Sequence, residues 1–219
     1  MNIENNVLRH YLKNCYFING TAYAGKSTAC KSLADKYQMI HCEENYNSDV
    51  IFSVIDKEIQ PNLSYFSTMS GWQEFINRTP QAYQGWMTGN RYELSSFEIA
   101  ELIRLSADRK VIVDTNLPIE YLEEISDYSR VVIMLSPPEY SAKKFFDRPD
   151  KEKQFLLSQI QLAENPEKTE KNFRDCVLYG CKKEYDEYMK TDFFKIIRDS
   201  GEWLSQIETL EIIANHFKL

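Results

Sequence analysis

The sequence lacks a hydrophobic run that could cross a membrane, since no apolar stretch approaches the roughly 18 residues that a spanning helix needs. Its first six residues contain no basic stretch followed by an apolar one, so we expect no signal peptide. Histidine is scarce: the three residues His10, His41 and His216 are scattered along the chain. We therefore expect no metal site other than magnesium held mostly by phosphate, and a cytoplasmic protein that does not bind membranes.

Cysteine is also scarce, and the odd number of five residues shows no spacing typical of metal ligands: Cys15, Cys30, Cys42, Cys176 and Cys181. This pattern predicts free thiols in a reducing compartment. Basic residues are too few to balance the acidic ones, 26 against 33, which gives a net charge of −7. Such a charge disfavours nucleic-acid binding. It does not exclude ATP, because backbone N–H groups, one lysine and a magnesium ion suffice to hold a triphosphate.

Short apolar runs alternate with helical patterns along the chain. Strands are predicted at 16–19, 38–42, 110–114, 130–135 and 193–197. Helices are predicted at 26–37, 121–125 and 208–217. Apolar strands that alternate with helices predict an α/β fold with a mainly parallel five-stranded sheet.

Two long segments, 45–109 and 139–190, interrupt this alternation of strands and helices. Neither is bordered by a linker rich in proline and glycine, and the chain has no internal repeats. We therefore expect one domain over 1–219, in which both segments are helical insertions.

Residues 20–27 read GTAYAGKS and match the pattern G-x-x-x-x-G-K-[ST] between a predicted strand and a predicted helix. The two glycines allow a tight turn close to phosphate oxygens, and the N–H groups of the loop and of the helix N-terminus favour an anion. Lys26 would reach the β- and γ-phosphates, Ser27 would bind magnesium and Thr28 the α-phosphate. The predicted nucleotide-binding residues are Gly20, Thr21, Ala22, Tyr23, Ala24, Gly25, Lys26, Ser27 and Thr28.

With this loop in this setting, the chain resembles the P-loop NTPases, and among them the kinases related to nucleoside-monophosphate, shikimate and gluconate kinases. The resemblance covers the five-stranded framework, which is more than half of the chain. It implies a three-layer P-loop kinase fold that binds ATP and Mg²⁺ and transfers the γ-phosphate. One position departs from it, because many members of this family carry a third glycine where this chain has Tyr23.

The resemblance also implies roles for residues outside the loop. Asp114, at the end of the third predicted strand, would hold a magnesium-bound water; alternatively it only caps the following turn. Arg148 would belong to a mobile lid and close over the γ-phosphate, with Lys144 as a weaker candidate. Arg198 would lie in the loop that packs against adenine.

A carboxylate after the second strand would accept the proton of the acceptor hydroxyl. Three residues are candidates, and Glu44 is favoured narrowly over Glu43 and Asp49. For each of them the alternative is a solvated acidic loop.

The acceptor is expected to bind to the segment 45–109, as in the resembling family. Its aromatic residues, which include Tyr65, Trp72 and Trp86, would either stack on the acceptor or form a small core. Only Arg78 and Arg91 lie outside what we expect to be its last helix, which mildly favours a neutral hydroxyl of a nucleoside, sugar or aminocyclitol. A nucleotide kinase and a non-catalytic ATP-binding regulator remain as alternatives.

Overall fold

The computed structural model describes residues 3–147, 151–198 and 204–219, which contain one parallel sheet. Its strands are β1 (Cys15–Gly20), β2 (Ile40–Cys42), β3 (Val111–Asp114), β4 (Val131–Leu135) and β5 (Phe194–Ile197). They lie in the order β2-β3-β1-β4-β5, and every neighbouring pair is parallel. The predicted fold class is therefore confirmed, and each predicted strand boundary lies within two residues of the observed one.

Helices surround this sheet, several of them with recognisable start signals. In chain order they are α1 (Asn5–Tyr11), α2 (Lys26–Tyr37), α3 (Ser48–Val54), α4 (Tyr65–Thr68), α5 (Trp72–Ile76), α6 (Pro80–Leu105), α7 (Ile119–Ile125), α8 (Pro138–Lys144), α9 (Lys151–Gln161), α10 (Pro166–Lys190) and α11 (Gln206–Phe217). The long helices α6 and α10 each begin with proline after a capping side chain, Thr79 and Asn165 respectively. No helix in the described ranges combines the length and the apolarity that a membrane span requires.

The sheet separates two hydrophobic cores. On one face, α2 and α11 pack through residues such as Leu33 and Ile213 against Ile18 and Met134. On the other face, α1, α6, α7 and α10 pack against the alternate strand positions, with Leu102 and Tyr188 fully buried or nearly so. Burial on both faces explains why the strands read as continuous apolar runs, and it gives the predicted three layers.

A third core lies away from the sheet and is rich in aromatic rings. Phe75 contacts Tyr65 and Trp86 from the segment 45–109, and also Phe173 of α10. Trp72 packs on Phe155 of α9 with ring centroids 4.9 Å apart. The segments 45–109 and 139–190 thus share this core, and most of the aromatic residues considered as acceptor contacts are packed on one another.

Gly20 ends β1, the central strand, at the edge of the sheet where all the parallel strands have their carboxyl ends. Its φ is +129°, and a Cβ at this position would stand 1.9 Å from the carbonyl oxygen of Met134 on β4. The next residue is fastened to the same strand, since Thr21 N donates to Met134 O at 3.0 Å. Only glycine allows the chain to leave β1 this close to its neighbour.

We expect Gly20→Ala to destabilise the fold by about 3 kcal/mol or more, because it adds both backbone strain and a steric clash. Thermal unfolding of the purified variant measures this effect. Gly85→Ala is the matched control, because Gly85 lies in α6 with nothing within 4 Å of an added Cβ. It should stabilise the protein by up to about 1 kcal/mol. Equal melting temperatures for the two variants would contradict the assignment.

Candidate functional site

The loop between β1 and α2 has the conformation of an anion-binding turn. Gly25 precedes α2 with φ of +94°, and Tyr23 has φ of +63°, both in the left-handed region. Thr21 and Ala24 are fully buried, whereas Ala22, Ser27 and Thr28 are exposed. The loop is therefore anchored by its buried residues and open to solvent at Ala22, Ser27 and Thr28, with the N-terminus of α2 beside it.

Lys26 is the first residue of α2 and is only 8% exposed. Its Nζ donates to two carbonyl oxygens of the loop itself, Gly20 O at 3.1 Å and Thr21 O at 3.4 Å. The ammonium thus lies across the loop. A phosphate oxygen bound by the loop would be a stronger, charged acceptor for the same group.

Ser27 and Asp114 meet where α2 begins and β3 ends. The Ser27 hydroxyl donates to Asp114 Oδ2 at 2.6 Å, while Asp114 Oδ1 is buried and has no hydrogen-bond partner in the described part of the chain. Burial raises the pKa of Asp114 above its usual value, against the opposing effects of Lys26 and of the Ser27 hydrogen bond. A hydroxyl and a carboxylate with an unused oxygen suit a magnesium ion or its bound water.

This pair supplies only part of a coordination shell. The described residues contain no group of three or more His, Cys, Asp or Glu that would hold a metal ion by themselves. The donor set therefore fits magnesium that keeps phosphate oxygens and water as its other ligands, as Mg²⁺ usually does.

Arg198 follows β5 and lies against the phosphate loop. The backbone N–H of Arg198 donates to Leu135 O at 2.8 Å. The guanidinium of Arg198 lies so close to Gly25 that a Cβ on Gly25 would stand 2.9 Å from it. Burial lowers the pKa of Arg198 from its usual value. This position at the loop agrees with a nucleotide contact, although Arg198 was predicted only as part of an adenine loop. Residues 199–203 of that loop lie outside the described residues.

Tyr23 connects the loop to the segment predicted as a lid. Its hydroxyl donates to Phe145 O at 3.1 Å, and Lys153 Nζ of α9 lies 5.4 Å from the centre of its ring. Ser141 Oγ of α8 also donates to Ala22 O at 2.8 Å. The residue that departs from the family pattern thus has a structural role that glycine would not fill.

Two other cations of this segment are engaged elsewhere. Lys144 is paired with Asp147, and Arg174 is paired with Glu170 while its guanidinium lies over the ring of Phe146. Arg148, the predicted lid arginine, lies outside the described residues. Lys153, which sequence reasoning did not single out, is a cation in the described part of this segment and contacts Tyr23.

Tyr23→Phe should loosen the contact between the loop and helices α8 and α9 without changing the ring. The hydrogen bond to Phe145 O, worth about 1 kcal/mol, predicts roughly fivefold faster opening when it is lost, and the loss of the long hydrogen bond that Lys153 Nζ donates at 3.5 Å acts in the same direction. Hydrogen exchange of amides in residues 138–161 measures this. Tyr37→Phe on α2 is the control, since it removes a tyrosine hydroxyl at a distance from this segment. Unchanged exchange in both variants would show that the hydroxyl does not hold α8 in place.

A cleft opens beside Asp114, between the ends of β2 and β3 and the helices α3 and α6. It is a small cleft that is open to solvent, and Glu43 and Glu44 both line it. Asn116 Nδ2 donates to Glu44 Oε1 at 2.7 Å and thereby orients that carboxylate. Asp49, the third candidate base, lies exposed in the first turn of α3 and is not among the residues that line the cleft.

Glu98 of α6 lines the same cleft and was missed by the sequence analysis. Its carboxylate accepts a hydrogen bond from the Thr115 hydroxyl, next to Asp114. Burial raises the pKa of Glu98 to about 7, and the charges of Asp114 and Glu44 add to the effect. A signal was present in the sequence: Leu94, Glu98 and Leu102 are spaced by four, which places a carboxylate on the inward face of the helix.

Both arginines considered for a phosphate acceptor have other contacts. The Arg78 guanidinium lies over the ring of Tyr65, 3.9 Å from its centre. Arg91 forms an ion pair with Glu184 of α10, and Glu187 lies 4.0 Å away. Contrary to expectation, Arg91 lies within the last helix of the segment, because α6 begins at Pro80.

The comparison with solved structures agrees with this fold. No protein-family model matches the chain, and no match was found among curated proteins. Among solved structures, shikimate kinase from Bacteroides thetaiotaomicron matches with a TM-score of 0.53 and 13% identity, over 94% of this chain and 98% of that one. Dephospho-CoA kinase from Campylobacter jejuni is a weaker likeness, with a TM-score of 0.42 and 14% identity over 94% and 96%.

The likeness to shikimate kinase, at 13% identity, concerns the fold. Together with the parallel sheet and the loop after its central strand, it shows that this chain has the P-loop kinase fold. The predicted resemblance is confirmed at that level. The substrate of this protein does not follow from the fold, since one fold serves many functions.

Proposed function

We propose that this protein is an ATP-dependent phosphotransferase that moves the γ-phosphate to a hydroxyl group of a small molecule. The observation that carries the proposal is the contact between Ser27 and Asp114 at 2.6 Å, at the mouth of the phosphate loop and beside a cleft lined by carboxylates. A nucleotide site and an acceptor site thus share Asp114. The similarity in fold to a shikimate kinase is consistent with this class of reaction.

Each group has a distinct task in this proposal. The loop N–H groups and Lys26 bind the phosphates and offset their charge, and Arg198 lies against the nucleotide side of the loop. Ser27 and Asp114 would hold a magnesium ion, which neutralises charge on the phosphates when it is bound. Arg148 and Lys153 belong to the segment that would close over the loop and exclude water.

The transfer itself needs a base on the acceptor side. The acceptor oxygen forms a bond to the γ-phosphorus, the bond from that phosphorus to the bridging oxygen breaks, and ADP leaves with the electron pair. The hydroxyl proton passes to the carboxylate of Glu44, which Asn116 orients, and then to solvent. Glu43 lines the same cleft and is the second candidate for this task.

The nucleotide-kinase alternative is disfavoured because a phosphate acceptor needs converging arginines. Arg78 is stacked on Tyr65, and Arg91 is paired with Glu184, so both are engaged within the fold. An ATP-binding regulator would need the same loop but no acceptor cleft.

A test measures ATP consumption with magnesium across a panel of nucleosides, nucleotides, sugars, shikimate-like acids and aminocyclitols. We expect at least one acceptor to be phosphorylated, and we expect the reaction to disappear when magnesium is chelated. Nucleotide binding without turnover on any acceptor would favour the regulator instead. Failure to bind ATP at all would contradict both functions.

A further inference from the structure

The cleft beside Asp114 is lined by negative and neutral polar groups. Four carboxylates reach it, from Glu43, Glu44, Glu98 and Asp114, together with the amides of Asn45 and Asn116. No lysine, arginine or histidine is among the described residues that line it. Asp114 is buried and Glu98 is half-buried, whereas Glu43 and Glu44 are exposed, so the repulsion between like charges is least screened for Asp114 and Glu98.

One carboxylate oxygen in this cleft lacks a hydrogen-bond partner among the described residues. Asp114 is 2% exposed, and its Oδ1 has no hydrogen-bond partner among the described residues. A magnesium ion on Ser27 and Asp114 would satisfy that atom. Glu43 lies 3.9 Å from His41 Nδ1, which leaves Glu44 and Glu98 without an ion pair among the described residues. A second metal ion does not fit them, since the described chain contains no cluster of His, Cys, Asp or Glu close enough to hold one.

A small anionic acceptor does not fit either. Arg78 lies over Tyr65, Arg91 is paired with Glu184, and Arg104 is paired with Glu101. Lys26 is directed to the carbonyl oxygens of the phosphate loop. A carboxylate or phosphate on the acceptor would therefore enter an acidic cleft without a compensating cation, at a cost that specific sites avoid.

We propose that the acceptor is a hydroxyl compound that carries a protonated amine, of the amino-sugar or aminocyclitol class, with the ammonium group bound by Glu98. This inference rests on the proposed function. Glu98 is held in place by the Thr115 hydroxyl, and it lies in the same cleft as Glu44, which takes the proton of the reacting hydroxyl. The amides of Asn45 and Asn116 would bind further hydroxyls, and Ile51 and Leu94 offer the apolar surface on which a ring packs.

The amine also explains why a carboxylate belongs at position 98. An ammonium ion supplies the positive charge that the cleft lacks and favours the ionised form of Glu98. Its hydrogen bonds to a carboxylate are charge-assisted and stronger than those between neutral groups. The same ammonium would be bound only weakly by an arginine-lined site, so the two acceptor classes exclude each other.

The test uses matched acceptors on the full chain with Mg-ATP. Glucosamine and 2-deoxystreptamine are compared with glucose and myo-inositol, and shikimate and a nucleoside monophosphate are the anionic comparison. We expect kcat/KM for the amines to exceed that for the neutral analogues by about tenfold or more. Binding of the same compounds, measured by calorimetry with magnesium and a non-hydrolysable ATP analogue, should follow the same order.

Glu98→Gln tests the residue, because glutamine keeps an acceptor for the Thr115 hydroxyl but loses the charge. It should raise KM for the amine acceptors about tenfold, leave kcat within a factor of about two and leave the neutral acceptors unchanged. Glu101→Gln is the control on the same helix, since Glu101 is paired with Arg104. It should change neither class of acceptor.

Several results would overturn the inference. If neutral or anionic acceptors were phosphorylated as efficiently as the amines or more so, the proposed kinase activity would stand and the proposed amine acceptor would be wrong. An equal loss for all acceptors in Glu98→Gln would show that the residue is structural. If no amine bound in the presence of the nucleotide analogue, the inference would fall with the kinase unaffected, whereas failure to bind Mg-ATP would remove the kinase as well.

Discussion

Lys26→Ala is expected to lower kcat/KM for phosphotransfer by about 10³, since removing a preformed donor to a developing charge commonly has an effect of this size. The variant should remain folded, because the hydrogen bonds that the Lys26 ammonium donates among the described residues are to the carbonyl groups of Gly20 and Thr21, in the loop itself. Steady-state kinetics with the best acceptor measures the first effect, and thermal unfolding measures the second.

Lys31→Ala is the matched control, because Lys31 is an exposed lysine on the same helix. It should retain full activity. Because Lys26 is only 8% exposed, we also expect nucleotide binding itself to weaken in Lys26→Ala. Unchanged Mg-ATP affinity in a folded Lys26→Ala protein would contradict the nucleotide site.

Asp114→Asn should change activity and stability in opposite directions. We expect about a hundredfold lower kcat/KM and about a tenfold higher magnesium requirement, because the metal site loses its charged oxygen. We expect the free energy of unfolding to rise by about 1 kcal/mol, because a charge that is buried and poorly compensated has been removed. Magnesium titrations of the rate and chemical denaturation measure the two effects.

Asp35→Asn is the control for this pair of measurements. Asp35 lies exposed on α2, and its replacement should leave the rate, the magnesium requirement and the stability unchanged. An Asp114→Asn protein with a normal magnesium requirement would mean that Asp114 only caps the turn after β3. That was the simpler interpretation of this residue from the sequence.

The sequence predicted the framework because its signals are local. Short apolar runs, most of them next to a helical pattern, located all five strands within two residues. The phosphate loop was recognisable from eight consecutive residues, since the backbone geometry that cradles an anion needs glycine and lysine at fixed spacing. The position of Asp114 at the end of a neighbouring strand followed from the rule that parallel strands end at one edge of the sheet.

The acceptor side was predicted less well, because it depends on residues that are distant in sequence. Glu98 reaches Thr115 and the cleft beside Asp114 only because α6 packs against the sheet, and nothing adjacent to Glu98 in sequence marks it as part of a site. The two helical segments were expected as insertions on one domain, and nothing in the sequence indicated that Phe75 and Phe173 would place both in one core. Hydrophobic patterning identifies inward faces of helices but not their partners.

The sequence by itself determined the order of strands along the chain, the phosphate loop and the placement of an acidic strand end beside that loop, because each depends on contiguous residues. Only the tertiary structure decided how the available charges are used. In the folded protein Arg78 lies over Tyr65 and Arg91 is paired with Glu184. Glu43, Glu44 and Glu98 line one cleft, and Tyr23 donates to Phe145 O. The reason is that a charge acquires its function from its neighbours across the fold, and one chain position does not specify those neighbours.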